Sequence, residues 1–163
     1  MCPRPCASWR GGRFRHALPE AVNARIAETQ RRHPAVTKLG TDMAVPDEAL
    51  ESVVALYRRE LAAAGLEFVI FGHIGDNHLH VNILPRTPDE YGRGRALYAE
   101  FARQVVAMGG SPVAEHGVGK LKTAFLSLLF GEAGVAQMRA VKAAFDPDFR
   151  LGPGTLFAPP AEG

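Results

Sequence analysis

Cysteine is almost missing: only Cys2 and Cys6 occur, both within the first six of 163 residues. This excludes a disulfide framework stapling the fold and makes a cytoplasmic protein the default expectation, with peripheral attachment to a membrane through partners left open. Pro3 and Pro5 beside these cysteines, with no second pair downstream, read as an unstructured end rather than a metal site. Long apolar runs are missing as well. Phe68–Phe71 and Leu126–Phe130 are core-sized, far short of the roughly 18 residues that a membrane span needs, so no transmembrane segment is expected. Acidic residues do not appear before Glu20, whereas Arg4, Arg10, Arg13 and Arg15 do. With no apolar h-region this start is not a secretory signal, and Trp9-Arg10-Gly11-Gly12 makes a poor amphipathic transit peptide. Charge of one sign is not in excess either. The chain has 19 Lys+Arg against 17 Asp+Glu and a net charge of +2, which gives no electrostatic footprint for nucleic acid.

What is present is an ordinary globule, 47% hydrophobic and 22% charged. A chain of this length buries about 70% of its extended surface and needs neither disulfide nor metal merely to fold. One such domain is too small to hold both a large organic cofactor and its substrate site. The expected organisation is a disordered or non-native segment over 1–13, a folded domain over 14–157, and a frayed Pro-rich tail over 158–163.

From Phe14 to about Arg32 the composition favours helix, with Leu18, Val22 and Ile26 on one face and Pro19 tolerable only in the first turn. Val36 to Val45 alternates weakly as a strand. Asp47 to Ala64 carries the stripe Leu50, Val53, Val54, Tyr57, Leu61 and stops at Gly65. Two strands, Leu66–Phe71 and His78–Leu84, flank Gly72-His73-Ile74-Gly75-Asp76-Asn77, where Gly and Asn provide hairpin chemistry. Thr87-Pro88-Asp89-Glu90 is a capping box with Pro at the first helical position. It opens a helix that runs through Leu97, Phe101, Val105 and Met108 to Gly109-Gly110. A short strand, Ser111–Glu115, follows, then helices over Lys120–Phe130 and Glu132–Phe145. The order predicts an α+β fold, a ferredoxin-like βαββαβ antiparallel sheet with helices on one face, plus two C-terminal helices.

Of six histidines, His73, His78 and His80 lie within eight residues. Alternation along a strand points His78 and His80 the same way, with His73 opposite them across the hairpin. Paired imidazoles form half a metal site, and Glu115 or His116 offers the next ligand if the Ser111 strand lies alongside. A two-His, one-carboxylate set suits Zn, Mn or Fe(II) and leaves open positions. From spacing alone, the same residues read more readily as plain surface histidines on a polar strand face. Gly117-Val118-Gly119-Lys120 is not a phosphate loop, because Ala114 and Leu121 stand where such a loop has Gly and Ser/Thr.

Several segments together resemble the C-terminal half of FAD-linked 2-hydroxyacid dehydrogenases, the glycolate oxidase, D-lactate dehydrogenase and D-2-hydroxyglutarate dehydrogenase relatives of the vanillyl-alcohol-oxidase superfamily. Gly72 to Asn82 resembles GHxGDGNLHxN, and Ala114 to Gly119 resembles (A/G)EHGxG. Gly40 to Pro46 is similar to the D-x-S-V-P strand, and Met138 to Phe157 to the (F/L)DPxxxLNPGxxF ending. The resemblance implies that His73, His80 and Glu115 hold a divalent metal, that His116 is the base taking the substrate hydroxyl proton, and that Asn82 lies near the hydroxyacid. It further implies that Arg15 clamps the substrate carboxylate, with Lys38 a second carboxylate contact, a role suited to planar or point-charge cations. FAD would be bound mainly by a domain absent from this chain, supplied in cis or in trans, so that the chain alone is expected to be inactive. The sequence departs from the family pattern with Asn77 in place of Gly, His78 in place of Asn, and Gly152 in place of Asn. The likeness fades upstream of Arg15, which points to a truncation or frameshift at the start. A second expectation, of another class, is a non-catalytic interaction subunit or truncated remnant; a free-standing metal hydrolase is a distant third.

Overall fold

The computed structural model describes residues 8–157, with side chains from residue 17 onward. Cys2, Cys6 and the tail over 158–163 therefore lie outside the described residues. Helix α1 spans Ser8–Arg32 and continues through Pro19, rather than beginning near it. Proline removes one i→i−4 hydrogen bond, and the helix persists because Val22 and Ile26, on its C-terminal side, are buried in a small cluster with Leu84 and Val69.

The weakly alternating segment after α1 forms two short strands, β1 (Leu39–Gly40) and β2 (Met43–Ala44), rather than one. Both pair antiparallel with β4 (His78–Ile83) in a single register: Leu39 faces Ile83, Gly40 faces Asn82, Met43 faces Leu79 and Ala44 faces His78. They are two halves of one row, interrupted at Thr41 and Asp42. On the other side of β4 lies β3 (Phe68–His73), paired from Phe68 with Ile83 to His73 with His78. The expected fourth strand is reduced to one bridge, Ser111 with Ala44. Pro112 follows immediately and has no N–H to extend the ladder. The resulting order, Ser111 bridge, β1/β2, β4, β3, is that of a ferredoxin-like sheet.

Helices α2 (Leu50–Ala63) and α3 (Pro88–Ala107) cover one face of the sheet. Val53, Tyr57 and Leu61 from α2 and Phe101 and Val105 from α3 bury Leu39, Met43, Leu79, Val81 and Ile83. Tyr57 and Phe101 meet edge to face with centroids 4.8 Å apart, a geometry that adds to area burial. α2 is introduced by a single 3-10 turn, Asp47–Ala49. The last helix, α4 (Ala124–Phe145), is broken at Gly131 (φ 66°, ψ 170°), as two successive helices would be, but it begins four residues later than Lys120. The residues before it instead form a turn over the sheet edge, described below. Among the described residues no helix is long and apolar enough to cross a membrane.

Local signals are obeyed where they are strong. Thr87 Oγ1 accepts from the Glu90 N–H at 3.2 Å, and Pro88 occupies the first turn. Glu90 reaches back to the Arg86 N–H (2.8 Å) and guanidinium (2.9 Å), one residue earlier than in the usual capping box. Thr87→Ala should lower the unfolding free energy by about 1 kcal/mol in urea titration, the usual loss for a removed N-cap. An unchanged midpoint would mean that the Glu90–Arg86 contacts alone hold this helix start.

Candidate functional site

The face of the sheet turned away from α2 and α3 is polar at one end and apolar at the other. Strand alternation places His78, His80 and Asn82 of β4, with Leu84 just beyond its end, beside His73, Phe71 and Val69 of β3 on that face. α1 covers the apolar end, where Arg25 pairs with Glu67 at 3.3 Å and Lys38 Nζ donates to Asn23 Oδ1 at 3.0 Å. At the histidine end the His73 and Glu115 side chains are each 42% exposed. The hairpin that brings His73 against His78 needs a left-handed residue, which is Asn77 (φ 49°). It also needs a residue without Cβ at 72, since a Cβ there would lie 2.2 Å from the His78 carbonyl oxygen.

Glu115 arrives from the segment after the Ser111 bridge and stands among four imidazoles. Its Oε1 is 3.1 Å from His80 Nε2 and 3.2 Å from His116 Nε2; its Oε2 is 3.5 Å from His73 Nε2 and 3.7 Å from His78 Nδ1. Partial burial pushes the Glu115 carboxyl up, but the four imidazoles outweigh it and hold it below the ordinary value. One ligand atom from each of His73, His78, His80 and Glu115 fits within 4.8 Å, and so does one from each of Asp42, His80, Glu115 and His116.

Asp42, which sequence reasoning passed over, is the hub of this arrangement. Only 1% of it is exposed. Its Oδ1 accepts from His78 Nε2 (2.9 Å) and the Glu115 N–H (3.1 Å), and its Oδ2 from the His116 N–H (3.0 Å) and Lys122 Nζ (2.8 Å). Burial pushes the Asp42 carboxyl up, yet the Lys122 ammonium and the two backbone N–H groups hold it well below the usual carboxylate range. One buried carboxylate thus fixes His78, the backbone of Glu115-His116 and the turn carrying Lys122. A faint signal existed in the sequence, an acid on the polar side of a strand otherwise rich in apolar residues.

The break between β1 and β2 has a chemical content. Thr41 N–H donates to the Val81 carbonyl at 2.9 Å, but the Val81 N–H returns to Thr41 Oγ1 (2.9 Å) rather than to the Thr41 carbonyl. The released carbonyl lies 3.0 Å from His80 Nδ1. A carbonyl only accepts, so Nδ1 donates to it, which leaves Nε2 facing Glu115. In the same way the Asp42 carboxylate accepts from His78 Nε2, which leaves Nδ1 facing Glu115. Two ring nitrogens, each with its other nitrogen already engaged, therefore converge on one carboxylate. Protons on these nitrogens, or a divalent cation with N and O ligands, supply the positive charge that such a set calls for.

Of the remaining residues singled out in the sequence, Asn82 is 3% exposed and its Nδ2 has no hydrogen-bond partner among the described residues. It points over Gly40, where an added Cβ would approach its Oδ1 to 3.3 Å. His116 is open to solvent, its side chain 64% exposed. Lys38 precedes β1 two residues from Gly40 and is engaged by α1 through Asn23. Arg15 lies in α1, in the stretch whose side chains are outside those described. The structure thus brings His73, His80, Glu115 and His116 together and adds His78 and Asp42 to them.

Known proteins carry the same segment. Residues 11–156 match the family model of FAD linked oxidases, C-terminal domain. The glycolate oxidase subunit GlcD of Bacillus subtilis is 33% identical over 144 residues, covering 87% of this chain and 30% of the relative. D-lactate dehydrogenase (cytochrome) 1, mitochondrial, of Saccharomyces cerevisiae is 34% identical over 117 residues, 72% of this chain and 20% of the relative. D-2-hydroxyglutarate dehydrogenase of Stutzerimonas stutzeri is 42% identical over 96 residues, 56% of this chain and 21% of the relative. The chain spans 20–30% of the length of these curated relatives. With the family model matched over nearly its whole described length, the chain belongs to the family of FAD linked oxidase C-terminal domains.

Proposed function

We propose that this chain is the substrate- and metal-binding part of an FAD-dependent 2-hydroxyacid dehydrogenase of the glycolate or D-lactate type, converting a 2-hydroxyacid to a 2-oxoacid. The observation that carries the reading is the convergence of His73, His78, His80 and Glu115, whose ligand atoms lie within 4.8 Å of one another. His73, His80 and Glu115 hold the divalent cation, for which Zn, Mn or Fe(II) suits the N and O donors. When bound, the cation supplies a Lewis acid that eases deprotonation of a hydroxyl. FAD, held mainly by a second domain in cis or in trans, supplies the hydride acceptor when bound.

The chain's own residues bind and orient the substrate and move its proton. His116, on the open side and tethered through its backbone to Asp42, receives the hydroxyl proton on its imidazole. Asn82 Nδ2, without a hydrogen-bond partner among the described residues and on the same sheet face as His80, donates to an oxygen of the hydroxyacid. Arg15 and Lys38, from α1 and the approach to β1, engage the carboxylate.

The test is metal content together with ligand binding. Dialysed against Zn(II), the chain should retain one ion, and metal at 100 times its dissociation constant should raise the unfolding free energy by about 2.7 kcal/mol. His73→Ala and Glu115→Ala should each lose the ion. D-lactate or glycolate should then bind the zinc-loaded chain in calorimetry, and bind more weakly to Asn82→Ala. Full metal occupancy in both ligand variants overturns the assignment.

A further inference from the structure

We infer that His78 is a fourth protein ligand, so that this chain builds a three-imidazole, one-carboxylate centre in place of a two-imidazole, one-carboxylate one. The inference rests on the metal reading above and concerns its coordination.

His78 is directly opposite His73 in the hairpin register, and its ring lies 5.5 Å from that of His73 and 4.4 Å from that of His80, centroid to centroid. Its side chain is only 6% exposed, so it is held in place and is not a surface histidine sampling solvent. Burial of an imidazole demands partners for both nitrogens. Nε2 has one in Asp42 at 2.9 Å. Nδ1 faces Glu115 Oε2 at 3.7 Å, too far for a hydrogen bond and suited to an intervening cation. With Asp42 on Nε2 and Glu115 facing Nδ1, His78 is placed as in the carboxylate–histidine–metal line, in which the outer carboxylate orients a ligating ring.

The distances agree with such a centre. Bonds of about 2.0–2.1 Å to a tetrahedral zinc put neighbouring ligand atoms about 3.4 Å apart. The contacts of Glu115 Oε2 with His73 and His78 are 3.5 and 3.7 Å, close to that edge length, while His80 meets the other carboxylate oxygen, Oε1, at 3.1 Å; one ligand atom from each of the four residues lies within 4.8 Å of the rest. His116, by contrast, is exposed and approaches Glu115 from the His80 side, with ring centroids 5.3 Å apart, and so remains free for other work. A fourth protein ligand closes a tetrahedral site or leaves one or two positions on a larger shell. Either way it favours first-row transition ions with a taste for imidazole over Mg(II) or Ca(II).

The experiment is Zn(II) titration of the 163-residue chain and of His78→Asn and His80→Asn, with circular dichroism of the metal-free proteins as the fold control. [15N-His] spectra of the native chain follow with and without Zn(II). The expected result is an affinity loss in His78→Asn greater than the 10–100-fold that removal of an outer partner causes, with a zinc-dependent shift at His78 Nδ1. If His80→Asn loses zinc while His78→Asn binds like the native chain, or if the His78 nitrogens do not move on zinc addition, the inference falls and the metal reading survives. If the native chain binds no zinc, both fall. Should His78→Asn fail to fold, the nitrogen shift in the native chain decides alone.

Discussion

Asp42→Ala should lower the unfolding free energy by about 3–5 kcal/mol in denaturant titration, the range for breaking a buried charged pair by deleting one partner. Four donors lose their acceptor at once: His78 Nε2–H, the Glu115 and His116 N–H groups and the Lys122 ammonium. The loss is a large share of the 5–15 kcal/mol typical of a whole domain, so Asp42→Ala is expected to be marginal at 37 °C. Much of it comes from the stranded ammonium rather than from the contacts themselves. Adding Lys122→Met to Asp42→Ala should therefore recover part of the stability. A double variant as unstable as the sum of the two singles would sink this account of the hub. Metal affinity should fall together with stability, because the same carboxylate sets the tautomer of His78 and anchors the chain carrying Glu115.

Gly72→Ala is the second large effect, at about 3 kcal/mol, the upper end of the range for overpacking. An alanine Cβ would meet the His78 carbonyl oxygen at 2.2 Å and the Leu79 Cα at 3.0 Å. Both are backbone atoms of the central strand, which cannot swing aside as a flexible side chain would. The hairpin can relieve the clash only by parting β3 from β4 at its turn, the end where His73 faces His78. Zinc affinity should drop with stability for this reason. Gly75→Ala, two residues from His73 with nothing within 4 Å of its added Cβ, should change stability by less than about 0.5 kcal/mol. Equal effects at the two positions would mean that the loss at 72 is chain entropy and not the close approach of strands.

What was legible in the sequence was what short stretches decide. The α2 stripe with its Gly65 stop, the Asn77 turn and the Thr87 cap rest on contacts within a few residues, and all three stand as read. The pairing of His73 with the β4 histidines also followed from alternation alone. The hub did not, because Asp42 meets His78, Glu115, His116 and Lys122 across 36 to 80 residues of chain. Nothing local distinguishes a strand acid left in solvent from one buried under a distant loop. The fourth strand was overread for a simpler reason: Pro112 limits the pairing to a single bridge. The turn before α4 was taken for helix because Lys120 to Thr123 has helical composition. There Lys122 is committed to Asp42, and the Leu156 N–H binds the Gly119 carbonyl at 2.9 Å.

The hydroxyl of Thr41 stands in the sheet where a backbone carbonyl belongs. A valine at 41 would have nearly the same shape but no oxygen to accept from the Val81 N–H, so the carbonyl would be drawn back into the ladder and away from His80. The imidazole would then be free to carry its hydrogen on the other nitrogen. The orientation of the His80 imidazole is therefore steered by a residue that stands outside the group converging on Glu115. In this fold an apparent flaw in strand pairing is a setting of the chemistry beside it.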